Sequence, residues 1–375
     1  MNLRWTCSCF VCFGVLLVPN LSLSADWQQA LEAQFDIVET FDQLQDWRGG
    51  NYTRGRNLDQ ANMPKKLDGS ISIWNMFDYW PTEPSPNDWI AHHSDADVWR
   101  ATGKSLRMTM WGTTGPGRLG AYFGGSSVGS IDPYSTSGVV TSGYQQDVYL
   151  FEMIKFEPNA FPKDADGNYA YYAYFKWFVL STGNTAANVC VEGRDDCTYG
   201  ASNVHTMLYR NVDDQQFKLE YYNDANWPDF PADFQMWKPL NNIGNLKEYI
   251  ENERWFGLEV HVHMGTPGQY DGYQEYWIYD DTGTEHYVGK SQGMIMMTAA
   301  PGHEDWGFNY FFQGGNISYG SVADEQGLDV SFFVDDIIID DQRIGPAYFQ
   351  LLSGNAVNSM NVTDVEPSPG IWLNN

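Results

Sequence analysis

The chain has 375 residues, of which 43% are hydrophobic, 16% aromatic and 18% charged, and this composition excludes a disordered protein because disordered chains lack the aromatic and apolar residues of a core. Its 48 acidic side chains outnumber 21 basic ones, and the formal net charge of −27 repels phosphate backbones, which excludes nucleic acid as a general partner. Frequent Gly and Pro, without a long amphipathic helical stripe, predict an all-β fold.

The N-terminus has the pattern of an export signal. A short basic start is followed by the apolar run Cys9–Val18 and by small residues, which predicts cleavage before Asp26. The apolar run is too short to span a bilayer, and no second long one follows. We therefore expect a secreted protein, extracellular or periplasmic, with no membrane partner. Its predicted parts are a leader at 1–25, a domain at 26–346 and a C-terminal tail at 347–375.

Two cysteines remain after the predicted leader. Cys190 and Cys197 lie close together in a polar loop segment, and in an exported protein this spacing predicts a local disulfide. Closing so short a loop contributes about 2.5 kcal/mol in the chain-entropy treatment. The predicted bridge therefore staples one loop and does not hold the whole fold together.

Period-two alternation of apolar and polar residues recurs after residue 100 and predicts sheet strands. Their spacing is typical of a sandwich, and the Gly/Ser-rich stretch Gly112–Gly143 between the first two predicts a long functional or mobile loop. We find no internal repeat and no second domain. The predicted strands are Ser105–Trp111, Val148–Phe156, Tyr169–Leu180, Asn203–Arg210, Phe217–Tyr222, Trp255–Met264, Tyr273–Tyr279, Phe308–Gln313 and Val330–Ile339.

Several segments carry a resemblance to known carbohydrate-active proteins. The sequence resembles a concanavalin-like jelly roll at Glu39–Phe41, Thr102–Arg107 and Phe333–Ile339. The order of its middle segments is similar to that of the jelly-roll polysaccharide lyases, a family that includes alginate and glucuronan lyases. Those segments are Phe175–Leu180, Met207–Arg210 and Trp255–Trp277, the last with a Thr-Pro-Gly and Asp-Gly turn within Gly265–Gly272.

The resemblance implies a β-jelly-roll sandwich of two antiparallel sheets and a lyase that cleaves a uronic-acid-containing glycan by β-elimination. Such an enzyme neutralises the uronate carboxylate, removes the adjacent proton and protonates the leaving oxygen. Lys176 alternates with Tyr172 and Tyr174, so the three share one face of their predicted strand and the two tyrosines are candidate substrate-binding residues. We assign Lys176 first to carboxylate neutralisation and second to the role of base, because an acidic protein favours its ammonium form.

The next two predicted strands supply the remaining candidates. Alternation puts His205 and Arg210 on opposite faces of one strand, and we favour His205 as base and keep Arg210 as a neutralising cation. On the following strand Phe217 is expected to mark the buried face, so Tyr222 is the candidate acid. Tyr221 is its rival, because the family pattern carries a pair of tyrosines in this region.

Another polar face follows in Trp255–Met264. Glu259, His261 and His263 alternate with apolar residues and are expected to project together as a wall of the sugar groove. A transition-metal site is the alternative, since imidazoles and a carboxylate form a known ligand set.

The reaction requires no cofactor. A structural calcium is a separate hypothesis, with Glu39, Asp335 and Asp336 as oxygen ligands, because jelly-roll modules often pair these two regions of the chain.

Two other functions compete with the lyase. A non-catalytic carbohydrate-binding jelly roll needs only sheet aromatics that stack on sugar rings, and an extracellular structural domain needs neither acid nor base. Glycoside hydrolysis is disfavoured, because the paired carboxylates of jelly-roll hydrolases are not found. We expect a monomer whose partner is an anionic polysaccharide, and marine salt, with a Debye length of about 4 Å, screens the long-range repulsion from this acidic chain.

Overall fold

The structure is a computed structural model, and it contains no helix long and apolar enough to cross a membrane among the residues that it describes. The α-helices in those residues are α1 (Leu23–Glu32), α2 (Leu246–Glu251) and α3 (Gly345–Leu352). The described residues are 23–49, 55–57, 59–79, 90–91, 95–100, 103–111, 118–122, 146–157, 161, 163–169, 173–182, 203–211, 213–223, 238–240, 242–266, 269–294, 296, 308–314, 317–318 and 329–354.

Two antiparallel sheets form the body of the molecule, which confirms the predicted all-β jelly-roll sandwich. Sheet I has the strand order β14-β13-β12-β7-β17-β5-β4, and β1 pairs with the end of β17. Its strands are β1 (Ile37–Glu39), β4 (Ile90–Ala91), β5 (Ser105–Trp111), β7 (Asp147–Phe156), β12 (Phe256–His263), β13 (Gly272–Tyr279), β14 (Glu285–Met294) and β17 (Asp329–Asp340).

Sheet II packs against sheet I. Its order is β11-β10-β9-β8-β15-β6-β3-β2, and β16 pairs with β8. Its strands are β2 (Gly55–Asn57), β3 (Trp74–Tyr79), β6 (Arg118–Tyr122), β8 (Ala173–Thr182), β9 (Asn203–Asn211), β10 (Gln216–Asn223), β11 (Lys238–Pro239), β15 (Phe308–Gln313) and β16 (Ile317–Ser318).

The main core lies between the two sheets. Alternate residues of the central strands are apolar and fully buried, and their removal from water supplies the main driving force for folding. Aromatic side chains cross the interface, as where Phe156 of β7 lies 6.2 Å from Trp177 of β8. The central contributors are Leu150, Ile154, Leu258, Val260, Phe332 and Val334 from sheet I, and Trp74, Leu119, Trp177, Leu208, Phe217, Leu219 and Phe311 from sheet II.

A second apolar cluster covers the opposite face of sheet I. Phe151 and Tyr279 of the sheet pack there with Tyr348 of α3 and with Leu31 of α1. Sheet I is therefore buried on both faces, which explains why β12 is buried along most of its length. The domain boundary predicted at residue 346 falls inside α3, because the tail begins with a helix whose Tyr348 is fully buried.

The nine predicted strands correspond to strands of the structure, and eight further strands were not predicted: β1, β2, β3, β4, β6, β11, β14 and β16. Gly112–Gly143 was predicted as an unbroken loop, whereas β6 lies within it, because Leu119 and Ala121 pack into the core and pair with β3 and β15. Strand β3 precedes the region where alternation is clear. Strand β14 forms an edge of sheet I and is largely exposed, so it lacks an apolar face that would predict it.

Candidate functional site

Three adjacent strands of sheet II carry the predicted catalytic residues. Strands β8, β9 and β10 pair antiparallel, and the register puts His205 of β9 directly opposite Tyr222 of β10 and opposite Val179 of β8. Lys176 of β8 is paired with Met207. The structure gives the backbone positions of these residues, and the pairing of their strands shows which residues are neighbours.

The buried residues of β9 and β10 fix which positions face the core. Thr206, Leu208, Phe217 and Leu219 are all buried, as the alternation predicted for the last two. Successive positions on a strand belong to opposite faces of the sheet. The positions of His205 and Tyr222 therefore fall on the outer face of sheet II, which we call the outer row.

The same parity separates the rival candidates from that row. Arg210 alternates with the buried Leu208, and Tyr221 alternates with the buried Leu219, so both positions belong to the face that points toward sheet I. The register consequently brings His205 together with Tyr222 and leaves Arg210 and Tyr221 out of the outer row.

A β-bulge in β8 sets the position of Lys176. The register shifts between Lys176 and Phe178, so Trp177 is an extra residue opposite Thr206. The Trp177 indole is fully buried, and it lies 6.1 Å from the ring of Phe256 in sheet I. Strict alternation from Lys176 would put Val179 on the opposite face, but the bulge returns position 179 to the outer row beside His205.

Positions on neighbouring strands of a sheet are about 5 Å apart, and alternate positions along a strand are about 7 Å apart. Lys176, His205 and Tyr222 thus occupy neighbouring points of the outer row. Tyr174 joins them through its pairing with Tyr209. Tyr172, Cys190 and Cys197 lie outside the described residues.

The polar face of β12 lies elsewhere, which corrects the prediction that it forms a wall of the same groove. Strand β12 belongs to sheet I, and Glu259, His261 and His263 project away from sheet II because Leu258 and Val260 fill the space between the sheets. The alternation assigned the two faces of β12 correctly. It contained no information about which sheet the strand would join.

Glu259 is buried among protein hydrogen-bond donors and does not line a groove. Its side chain is completely buried; Oε1 accepts the backbone N–H of Ile344 at 2.6 Å, and Oε2 accepts the hydroxyl of Tyr279 at 2.6 Å. Burial raises the pKa of Glu259, and these two hydrogen bonds lower it. Glu259 therefore anchors the start of α3 and is not exposed to a sugar.

The two histidines of β12 form a network that the sequence did not predict. Nε2 of His261 and Nδ1 of His263 each lie 2.8 Å from the same carboxylate oxygen of Asp147 on β7. Nδ1 of His261 lies 3.2 Å from Glu275 on β13, and its ring stacks on Tyr149 at 4.0 Å. Burial would raise the pKa of Asp147, but the hydrogen bonds to both histidines hold it below its usual value.

This network does not assemble the transition-metal site that was the alternative for these residues. Across the described part of the chain, the acidic and histidine side chains whose ligand atoms converge are Asp36, Asp340 and Asp341. His261 and His263 are not among them. Both rings lie within hydrogen-bond distance of the Asp147 carboxylate, so they link strand β12 to strand β7.

The three residues of the calcium hypothesis do not form one converging group among the described residues. Glu39 is buried, with Oε1 accepting the N–H of Phe41 at 2.8 Å and Oε2 accepting the indole N–H of Trp74 at 3.1 Å. Burial raises the pKa of Glu39 to about 7. Glu39 does not converge with Asp335 and Asp336 as a ligand set, and its oxygens already have protein donors.

Asp335 and Asp336 belong to a buried charge network on the helix side of sheet I. The guanidinium of Arg100 donates to both oxygens of Asp336, at 3.2 and 3.3 Å, and to Asp42 at 3.1 Å. Tyr348 of α3 donates its hydroxyl to Asp336 at 2.6 Å. Burial raises the pKa of Asp335 well above its usual value, and the neighbouring Asp336 carboxylate adds to that effect. Arg100 and Tyr348 therefore supply donors to the Asp336 carboxylate where sheet I meets α3.

Comparisons with known proteins were made by sequence and by structure. No protein family and no curated protein matches the sequence. The superposition on an alginate lyase in complex with an alginate tetrasaccharide covers 80% of this chain and 98% of the lyase chain, with 12% identity and a TM-score of 0.41. The PL-14 alginate lyase of Aplysia kurodai covers 68% and 87%, with 15% identity and a TM-score of 0.40. An endo-β-1,4-glucuronan lyase of the fungus Trichoderma reesei covers 68% and 87%, with 12% identity and a TM-score of 0.37. At these values the neighbours assign neither an activity nor site residues to this chain.

Proposed function

We propose that this protein is a secreted polysaccharide lyase that cleaves a uronic-acid-containing glycan, alginate-like or glucuronan-like, by β-elimination. The observation that carries the proposal is the direct pairing of His205 with Tyr222 on the outer row, with Lys176 on the neighbouring strand. A β-elimination needs a base, an acid and a cation close together. These three residue types at these positions meet that requirement.

In the proposed mechanism, Lys176 contacts the uronate carboxylate and neutralises it, which acidifies the proton on the adjacent carbon. His205 in its neutral form removes that proton. The electron pair of the broken C–H bond forms the new double bond as the neighbouring C–O bond to the departing sugar breaks, and Tyr222 donates its hydroxyl proton to the oxygen that leaves with that bond's electron pair. Each proton thus moves to or from a separate side chain.

The register also supports a choice between rivals. The positions of Arg210 and Tyr221 are on the face of sheet II that points toward the core. His205 and Tyr222 are therefore the better candidates for contact with a glycan on the outer row. Tyr174 is a candidate stacking surface for a sugar ring beside them.

The activity is tested by incubating the purified protein with alginate, glucuronan and neutral glycans and recording near-ultraviolet absorbance. A lyase produces an unsaturated sugar that absorbs there, and a hydrolase or a binding protein does not. The proposal predicts rising absorbance with at least one uronate glycan and none with neutral glycans. Glycan binding without unsaturated product from any of them would favour the carbohydrate-binding module and overturn the lyase.

A further inference from the structure

Two polar side chains meet in the apolar core without hydrogen-bond partners. Glu152 of β7 and Gln313 of β15 are both completely buried, and neither carboxyl oxygen of Glu152 nor either amide atom of Gln313 has a partner in the described structure. A buried polar group without a hydrogen-bond partner is destabilising, so four such atoms on these two side chains require a physical explanation.

The two residues enter the core from opposite sheets. Glu152 alternates with Leu150 and Ile154, which line the interior face of sheet I, and its strand neighbour is Leu258. Gln313 pairs with Leu119 and thus belongs to the centre of sheet II. The contact between them therefore spans the sandwich.

Only two influences act on the acidity of Glu152 within the described residues. Burial raises the pKa of Glu152 to about 8, against the opposing effect of the Gln313 amide, which lowers it. Among the described residues, no cation contributes to the acidity of Glu152. An ionised carboxylate without a counter-charge is disfavoured in an apolar interior, so the neutral acid is the stable form at neutral pH.

The numbers of hydrogen-bond donors and acceptors also favour the neutral, protonated form of Glu152. An ionised carboxylate only accepts, and it would leave the carbonyl oxygen of Gln313 without a donor. The protonated carboxyl group of Glu152 offers one donor and one acceptor. The Gln313 amide can present one N–H and its oxygen side by side, which is the matching pair of donor and acceptor. Two parallel hydrogen bonds between the groups would satisfy all four atoms after small side-chain rotations.

The pair lies directly behind the bulge of β8. Gln313 is the strand partner of Phe178, the residue that follows the bulged Trp177. The backbone N–H of Gly314 donates to the carbonyl oxygen of Trp177 at 2.7 Å. Movement of the Gln313–Gly314 segment would therefore move the bulge, and with it the position of Lys176.

We propose that Glu152 and Gln313 form a neutral acid–amide pair across the sandwich, and that this pair positions the bulge of β8 beside Lys176. The first half depends only on the buried geometry. The second half, which makes Glu152 a positioning residue for catalysis, rests on the proposed lyase function.

The Glu152→Gln variant tests the neutral pair. An amide at this position preserves both hydrogen bonds but carries no titratable proton. The folded wild type keeps its proton to a higher pH than the unfolded chain, so its stability relative to the variant falls as pH rises between the two pKa values. The ratio of the two unfolding constants, measured by urea denaturation, should change about tenfold per pH unit from about pH 5 to about pH 8. A constant ratio over that interval would overturn the proposal.

A double-mutant cycle tests the contact itself. Glu152→Leu and Gln313→Leu each leave one orphaned partner, whereas the double variant removes both polar groups. The double variant should therefore unfold at lower urea than wild type by less than the sum of the two single shifts. Additive shifts would mean that the side chains do not interact, and the pair would be rejected. Glu152→Gln serves as the folded control if a leucine variant fails to fold.

Hydrogen exchange and kinetics test the positioning role. Glu152→Leu should lose amide protection in residues 173–182 and lower kcat on a uronate glycan with KM little changed, and Glu152→Gln should restore both. Unchanged exchange in β8 together with unchanged kcat would remove the positioning role. If the wild type has no lyase turnover at all, the proposed function fails, but urea denaturation and exchange still decide the pair and its effect on β8.

Discussion

Replacing Arg100 by Met tests the charge network that joins the helices to sheet I. The Arg100 side chain is 11% exposed, and its partners Asp42 and Asp336 are 1% and 0% exposed. Asp336 also accepts the indole N–H of Trp27 from α1 and the hydroxyl of Tyr348 from α3. A single guanidinium therefore compensates two buried carboxylates at the point where both helices meet the sheet.

Removing one partner of a buried ion pair costs about 3–5 kcal/mol, because the remaining charges stay buried without compensation. Methionine retains much of the aliphatic stem, so the loss is mainly electrostatic. For a domain of this size the expected fall in Tm is about 10 °C. Arg107→Met is the matched control: Arg107 pairs with Glu157 where both side chains are 22–24% exposed, and such a pair contributes about 1 kcal/mol or less.

The pH dependence separates charge from packing. Burial raises the pKa of Asp42 and Arg100 lowers it, so loss of Arg100 raises it further. The folded variant then binds protons that the unfolded chain has released, and its stability rises as pH falls toward the unfolded pKa. Urea denaturation should give a smaller loss at about pH 5 than at about pH 8. An equal loss at both pH values, or a loss no larger than that of the control, would refute the electrostatic explanation.

Three further outcomes are expected. Lys176→Ala should abolish lyase turnover without unfolding the protein, whereas Lys218→Ala, which removes a lysine already paired with Asp214, should retain it; turnover in a folded Lys176→Ala protein would remove this residue from the site. Reduction of the predicted Cys190–Cys197 bridge should lower Tm modestly, since it closes a short loop, and complete unfolding would contradict that. Glu259→Ala should cost about 1–3 kcal/mol by orphaning the first N–H groups of α3 and should speed limited proteolysis there, and an unchanged cleavage rate would contradict the anchoring role.

The strands of both sheets could be predicted where one face is apolar. Phe217 and Leu219 alternate with polar residues, a pattern that predicts that both are buried, and both are buried in the structure. Strand β6 could not be recognised, because its two core residues lie within a Gly-rich segment and offer too short a pattern. The tail after residue 346 was separated from the domain because a short helix that packs on the outer face of a sheet leaves no alternation.

The residues of the candidate site were chosen from the sequence, but their positions relative to one another could not be predicted from it. Alternation extrapolates faces along one strand, and it fails at the bulge of Trp177, which depends on packing against sheet I. It also gives no information on which strands become neighbours. The histidines of β12 were therefore assigned to the glycan groove, and their actual partner Asp147, on a strand more than a hundred residues away, was missed.

The most direct test of the central claim compares His205→Ala and Tyr222→Phe with wild type in both turnover and glycan affinity. If the two residues are base and acid, each variant should lose turnover by roughly 10²-fold or more while glycan affinity changes little, because proton transfer is lost and binding is not. Wild-type kcat/KM should rise with pH as the histidine becomes neutral and fall at alkaline pH as the tyrosine ionises. Unsaturated product formed at the wild-type rate by both variants would contradict the claim that the His205–Tyr222 pair is the catalytic centre.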